Sequence, residues 1–132
     1  MTTMTIPGLT YRDAEAALDF LERAFGFERG LVVPGEGGRD VGHAEMRLGD
    51  AWIMLGSPRD DEFATPPASG SIYVVLDAPE AIDAMHERAA AAGATIVREP
   101  FDTEYGSRDF AARDPEGNAW FFGTYAPGTS PG

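Results

Sequence analysis

The sequence predicts an α+β fold built from two βαβββ modules related by a pseudo-twofold, and three observations carry that expectation. The first is a hairpin pattern, HAEMRL, then Gly49-Asp50, then AWIML. The second is its recurrence as DFAA and AWFFGTY around Asp114-Pro115-Glu116-Gly117-Asn118, with Ala51-Trp52 of one copy matching Ala119-Trp120 of the other. The third is that a strand-like run and a helical stretch precede each hairpin, Asp13 corresponding to Asp77 and Gly26 to Gly93. A repeat of half a small chain points to paired modules, since a solenoid needs more copies.

Ile6 to Tyr11 is short, with Pro7 near its start, which suits an edge strand. Asp13 is placed to cap a helix from Ala14 to Phe25, and Gly26 to end it. Ala14, Ala17, Leu18, Leu21 and Phe25 recur at helical spacing as its inner stripe, leaving Glu15, Asp19, Glu22 and Arg23 to solvent. Phe27 to Val33 reads as a strand, Pro34 to Gly38 as a loop, and Gly42 to Leu48 with Ala51 to Leu55 as the first hairpin. Residues 1–57 form the first module. The proline-rich, charged stretch 58–70 links it to the second, either as a flap over a pocket or as a plain crossover.

The second module spans residues 71–125. Ser71 to Leu76 is a strand, and Asp77 with Glu80 has capping-box spacing for a helix running to about Ala92. Ile82, Met85, Ala89 and Ala92 make that helix's inner stripe. Ala94 to Arg98 is a strand, Glu99 to Ser107 a loop, and the second hairpin follows. In its turn Pro115 restricts Asp114, and Gly117 and Asn118 tolerate positive φ. Residues 126–132 are expected to be a frayed tail.

Composition narrows the function. The net charge of −12 repels phosphate backbones, so nucleic acid is not an expected partner. The same charge attracts cationic small molecules, or simply maintains solubility. No apolar run is long enough to span a membrane. MTTMTIPG lacks the basic and apolar regions of a signal peptide, so a cytoplasmic protein is expected. With no cysteine there is no disulfide, thiolate ligand or cysteine nucleophile.

Motifs for catalysis are thin. The only histidines are His43 and His86. His86, beside Glu87 and Arg88 on a helix, reads as a solvated surface residue. His43, Glu45 and Arg47 alternate on one strand face opposite Ala44, Met46 and Leu48, so the apolar face packs on the helix and the polar face looks into a cavity or into water. His43 and Glu45 would supply two metal ligands, with no third in view. Gly35-x-Gly37-Gly38 lacks the strand-to-helix context of a phosphate loop, and no serine sits in a nucleophile elbow.

Two stretches, IPGLTYRDAEAALDFLERAFGFE and YGSRDFAARDPEGNAWFF, make the chain resemble the vicinal oxygen chelate superfamily of glyoxalase I, extradiol dioxygenases, fosfomycin-resistance enzymes and bleomycin-resistance proteins. The second stretch is most similar to the bleomycin-resistance branch. The resemblance implies paired modules whose curved sheets enclose a cavity, and a divalent metal held in the enzymes by His, Gln or Glu. Those positions fall near Ile6, at Ile53 or Met54, near Ser71, and at Phe121. None suits a catalytic metal, so no metal or other cofactor is expected.

The resemblance further implies a homodimer that holds a small molecule, a planar or cationic antibiotic being the type. Its loop aromatic, tryptophan in relatives of that branch, is Tyr105 here. Trp52, Met54, Tyr105, Phe110 and Trp120 are the expected ligand-lining residues, with His43, Glu45 and Arg108 as polar contacts. The competing expectations are a metal-dependent lyase, isomerase or dioxygenase using His43 and Glu45, and a domain whose interior is merely core.

Overall fold

A computed structural model of the chain describes residues 1–36 and 40–129. Gly37 and Gly38 of the glycine loop and the end of the expected tail lie outside these. The element order is β1 (Gly8–Thr10), α1 (Ala14–Phe25), β2 (Glu28–Pro34), β3 (Val41–Leu48), β4 (Ala51–Gly56), β5 (Ser71–Val75), α2 (Pro79–Ala91), β6 (Thr95–Asp102), β7 (Arg108–Arg113) and β8 (Ala119–Gly123). The chain divides into two compact units, Met1–Gly70 and Ser71–Gly132. Each unit contains one four-stranded sheet and one helix. No helix among the described residues is long and apolar enough to cross a membrane.

In the first unit the strand order is β1-β4-β3-β2, with β1 parallel to β4 and the rest antiparallel. Asp13 caps α1 through Ala16 N, and Gly26 closes it at φ 77°, where a Cβ would be penalised. The buried face of α1 extends the expected stripe by Phe20 and Ala24. Val41, Ala44 and Met46 of β3 and Ile53 and Leu55 of β4 are buried as its counterpart on the sheet. Gly49, at φ 58°, supplies the positive φ that the two-residue β3–β4 turn needs at its first position.

The acidic group of α1 expected to face solvent stays largely exposed and also has a partner. Arg29 of β2 donates to Glu22 at 2.9 Å, to Glu15 at 3.0 Å, and to Asp19. The three carboxylates recur on one face of α1 and tie it to β2. The Glu15 hydrogen bond is the main reason the Arg29 guanidinium titrates above its ordinary value.

The second unit repeats the order as β5-β8-β7-β6. Its details depart from expectation twice. The helix starts at Pro79 with Ala78 as cap and no side-chain cap bond, so Asp77 and Glu80 form no capping box. Proline at the first helical position needs no N–H partner and has its φ already set, which moves the start past Asp77. β6 continues through Glu99–Asp102, where a loop was expected. Pro100 is tolerated because β6 is an edge strand whose register against β7 shifts between Arg98 and Phe101.

Candidate functional site

Alternation along the strands sorts side chains onto two faces of each sheet. In the first unit the face turned away from α1 carries His43, Glu45 and Arg47 of β3 and Trp52 and Met54 of β4. Glu45 pairs across the sheet with Met54, and Arg47 with Trp52. His43 Nε2 and Glu45 Oε2 are 2.9 Å apart, both side chains more than a third exposed. The Arg47 guanidinium lies 5.6 Å from the centroid of the Trp52 ring.

The ring reaches as far as Gly30 of β2, where a Cβ would stand in ordinary contact, 3.6 Å from Trp52 Cζ3 and 3.8 Å from Glu45 Cβ. The indole therefore lies across β3 toward β2. Two hollows open on this face. One, of about 180 Å³, is bounded by Met4, Ile6, Glu45, Trp52 and Met54. The other, of about 460 Å³, is shared by Gly8, Gly42, Gly56, His43 and Met54, with Arg59, Phe63 and Thr65 of the connecting segment as a wall. A Thr10–Thr65 hydroxyl pair at 2.8 Å holds that segment to β1.

Four of the eight expected site residues, His43, Glu45, Trp52 and Met54, thus share one face. The other four are in the second unit, and only Tyr105 is open to ligand. It is 45% exposed and meets Tyr125 edge to face at 5.7 Å. Phe110 and Trp120, expected to line the site, are buried on the helix side of their sheet. Phe110 stacks on Phe122 at 5.0 Å, and Trp120 is fully enclosed. The reason is parity: on β8 the residue facing away from α2 is Phe121, one step from Trp120. Arg108 is also turned to the helix, bonded to Asp83 of α2 and to Asp102. His86 is not a free surface residue either. Its ring packs edge-on against Phe110, and its Nε2 lies 2.7 Å from Glu99 Oε2 without hydrogen-bond alignment.

The open face of the second sheet holds residues that strand reading passed over. Tyr73 pairs with Phe121, and Val75 with Gly123. Ser107 Oγ donates to Asp109 Oδ1, and Tyr73 Oη lies 3.5 Å from the same oxygen. A Cβ on Gly123 would stand 2.1 Å from Tyr73 Oη and 2.2 Å from Asp109 Oδ1, so glycine is what lets the two groups meet. Burial raises the Tyr73 phenol above its ordinary value; hydrogen bonding to Ser107 and to the Tyr125 backbone opposes the rise, and the charges of Asp109 and Tyr105 add to it. The available signal was the alternation of Tyr73 with buried Val74.

The metal positions implied by the resemblance resolve clearly. Ile53 is buried on the helix side, which leaves Met54 on the open face beside Ile6. Ser71 and Phe121 occupy the open face of the second sheet. Ile6, Met54, Ser71 and Phe121 supply no imidazole or carboxylate, so the donor set does not fit a catalytic divalent metal. No group of three His, Asp or Glu able to hold a metal exists among the described residues.

Comparison with known proteins agrees with the fold. The family model described as Glyoxalase/Bleomycin resistance protein/Dioxygenase superfamily matches residues 3–122. Mb0911c of Mycobacterium bovis, an uncharacterized protein, is 33% identical over 125 residues, covering 89% of this chain and 80% of its own. The crystal structure of TioX from Micromonospora sp. ML1 superposes with a TM-score of 0.78 at 29% identity, covering 95% of this chain and 100% of that one. Lactoylglutathione lyase from Agrobacterium tumefaciens, at 22% identity and TM-score 0.71 over 93% of each chain, shares the fold.

Proposed function

Because the chain belongs to the Glyoxalase/Bleomycin resistance protein/Dioxygenase superfamily, we propose that it is a metal-independent member that binds a planar or cationic small molecule and sequesters it unchanged. The observation that carries this reading is the donor set. Side chains at the four metal positions are apolar apart from one serine, while Trp52 offers an aromatic face beside the smaller hollow, and Met54 borders both hollows. A flat cation stacks on such a face and gains from the acidic surface. An antibiotic of that type is the favoured ligand class.

The protein acts as a homodimer, a second copy completing the enclosure. Supporting this, Tyr73, Val75 and Phe121 all stand about 40% exposed on the open face of the second sheet, an apolar surface of the kind a second copy covers.

The chain has two tryptophans, one of them buried, so a ligand on the open face is read through Trp52. Titration with a planar cationic dye such as ethidium should quench fluorescence saturably, with the response lost in Trp52→Phe. Metal analysis of protein purified without chelators tests the rival reading, a metal-dependent lyase or dioxygenase, which the His43–Glu45 pair favours. Stoichiometric metal that disappears in His43→Ala would establish the rival and remove the present proposal.

A further inference from the structure

Asp109 is a half-buried carboxylate without a counter-ion among the described residues. The chain contains no lysine, and its ten cationic side chains are all arginine. Arg29, Arg47, Arg59 and Arg108 pair with other carboxylates, Arg98 lies over Phe101, and Arg113 donates to the Gly117 carbonyl. No cationic group stands within ion-pair distance of Asp109 among the described residues. Its Oδ1 is occupied by the hydroxyls of Ser107 and Tyr73, and its Oδ2 has no hydrogen-bond partner among the described residues.

The environment is arranged rather than incidental. Ser107 is 3% exposed, and its Oγ also accepts from Tyr125 N at 3.0 Å, which fixes the hydroxyl that orients the carboxylate. Tyr73, whose hydroxyl reaches Asp109, and Tyr105, which meets Tyr125 edge to face, are both more than 40% exposed. A carboxylate with no cationic neighbour among the described residues leaves its charge available to a bound cation. With one oxygen already taken, the carboxylate suits a single-point ammonium better than the two-point fork of a guanidinium. One carboxylate and two hydroxyls are too few hard donors for a resident metal ion.

We propose that Asp109, with Ser107, Tyr73 and Tyr105, forms an anchoring site for the ammonium group of an organic cation. The site lies within the second unit alone, and the proposal goes beyond the binding function above. The carboxylate supplies the charge, the tyrosine rings supply cation–π faces, and Gly123 supplies the floor.

The test is titration with n-butylammonium chloride, followed by backbone amide NMR shifts at constant ionic strength, with n-butanol as the neutral isostere. Saturable shifts at Tyr73, Ser107, Asp109 and Tyr125, with a dissociation constant of about 1–10 mM, are expected for so small a probe. Asp109→Asn, which keeps the acceptor for Ser107, should weaken binding at least about tenfold while leaving the thermal melt in place. Tyr73→Phe, which keeps the ring, should weaken it less. Absence of saturable shifts, equal binding by Asp109→Asn, or equal shifts from n-butanol would each overturn the anchor. Failure here with the Trp52 response intact removes this site alone, whereas a lost Trp52 response with these shifts present removes the wider binding reading.

Discussion

The indole N–H of Trp120 donates to Asp114 Oδ2 at 3.1 Å, and both residues are buried. Asp114 accepts as well from Glu116 N at 3.1 Å, Asn118 N at 3.0 Å and Asn118 Nδ2 at 3.1 Å. One carboxylate therefore closes the β7–β8 turn and pins the largest side chain of the second core. Replacing it strands several buried donors. Asp114→Ala should lower stability by about 3 kcal/mol, read as a lower urea midpoint at unchanged slope. A loss under about 1 kcal/mol would mean that the turn holds without its carboxylate.

Arg29 makes a second kind of link, between α1 and β2. Arg29→Met keeps most of the side-chain packing but leaves Glu15, Asp19 and Glu22 facing one another. The expected cost is about 1 kcal/mol, since all three partners are substantially exposed. The gap between wild type and variant should narrow with added salt, because screening weakens both the lost attraction and the new repulsion. A gap independent of salt would assign the effect to packing.

Gly8 allows the larger hollow to be filled without disturbing the core, because an added Cβ meets nothing within 4 Å. Gly8→Val should change stability by less than about 0.5 kcal/mol, valine also suiting a strand. It should weaken quenching of Trp52 by the dye severalfold, since the hollow adjoins Met54. Unchanged affinity would exclude the Gly8 hollow from the binding surface.

Tyr73 makes the alkaline limb of the stability curve informative. Burial, with the charges of Asp109 and Tyr105, outweighs the opposing hydrogen bonds of Ser107 and the Tyr125 backbone and holds its phenol above the ordinary value of 10. The folded state therefore keeps this proton more tightly than the unfolded chain does. The resulting contribution is fully present below about pH 10 and is lost as pH rises through the folded value. Tyr73→Phe should flatten the fall in urea midpoint over that range. Asp109→Asn should move the Tyr73 titration, followed by its ring NMR signals, back toward 10. Movement in the other direction would show that Asp109 acts on the phenol mainly as a hydrogen-bond partner.

The elements with strong local signals were legible. Asp13 and Gly26 bracket α1 as expected, because capping and left-handed termination are written in adjacent residues. Asp77 was misleading, since Pro79 outcompetes it for the helix start. Glu99 to Asp102 read as loop because a proline inside a strand is acceptable only at an edge, and edge position is not a local property. The alternation of His43 and Glu45 with Ala44 and Met46 placed that face correctly. Phe110, Trp120 and Arg108 were misplaced because aromatic or charged character says nothing about which side of a strand a residue takes.

By itself the sequence determined the two βαβββ repeats, the α1 boundaries, and the lack of ligating side chains at the implied metal positions, all properties of residue type and short-range order. Only the tertiary structure decided that Trp52 lies open while Trp120 is sealed, and that Ser107, Asp109, Tyr73 and Gly123 meet. Those relations depend on strand parity and register across the sheet, where a shift of one residue exchanges core for surface.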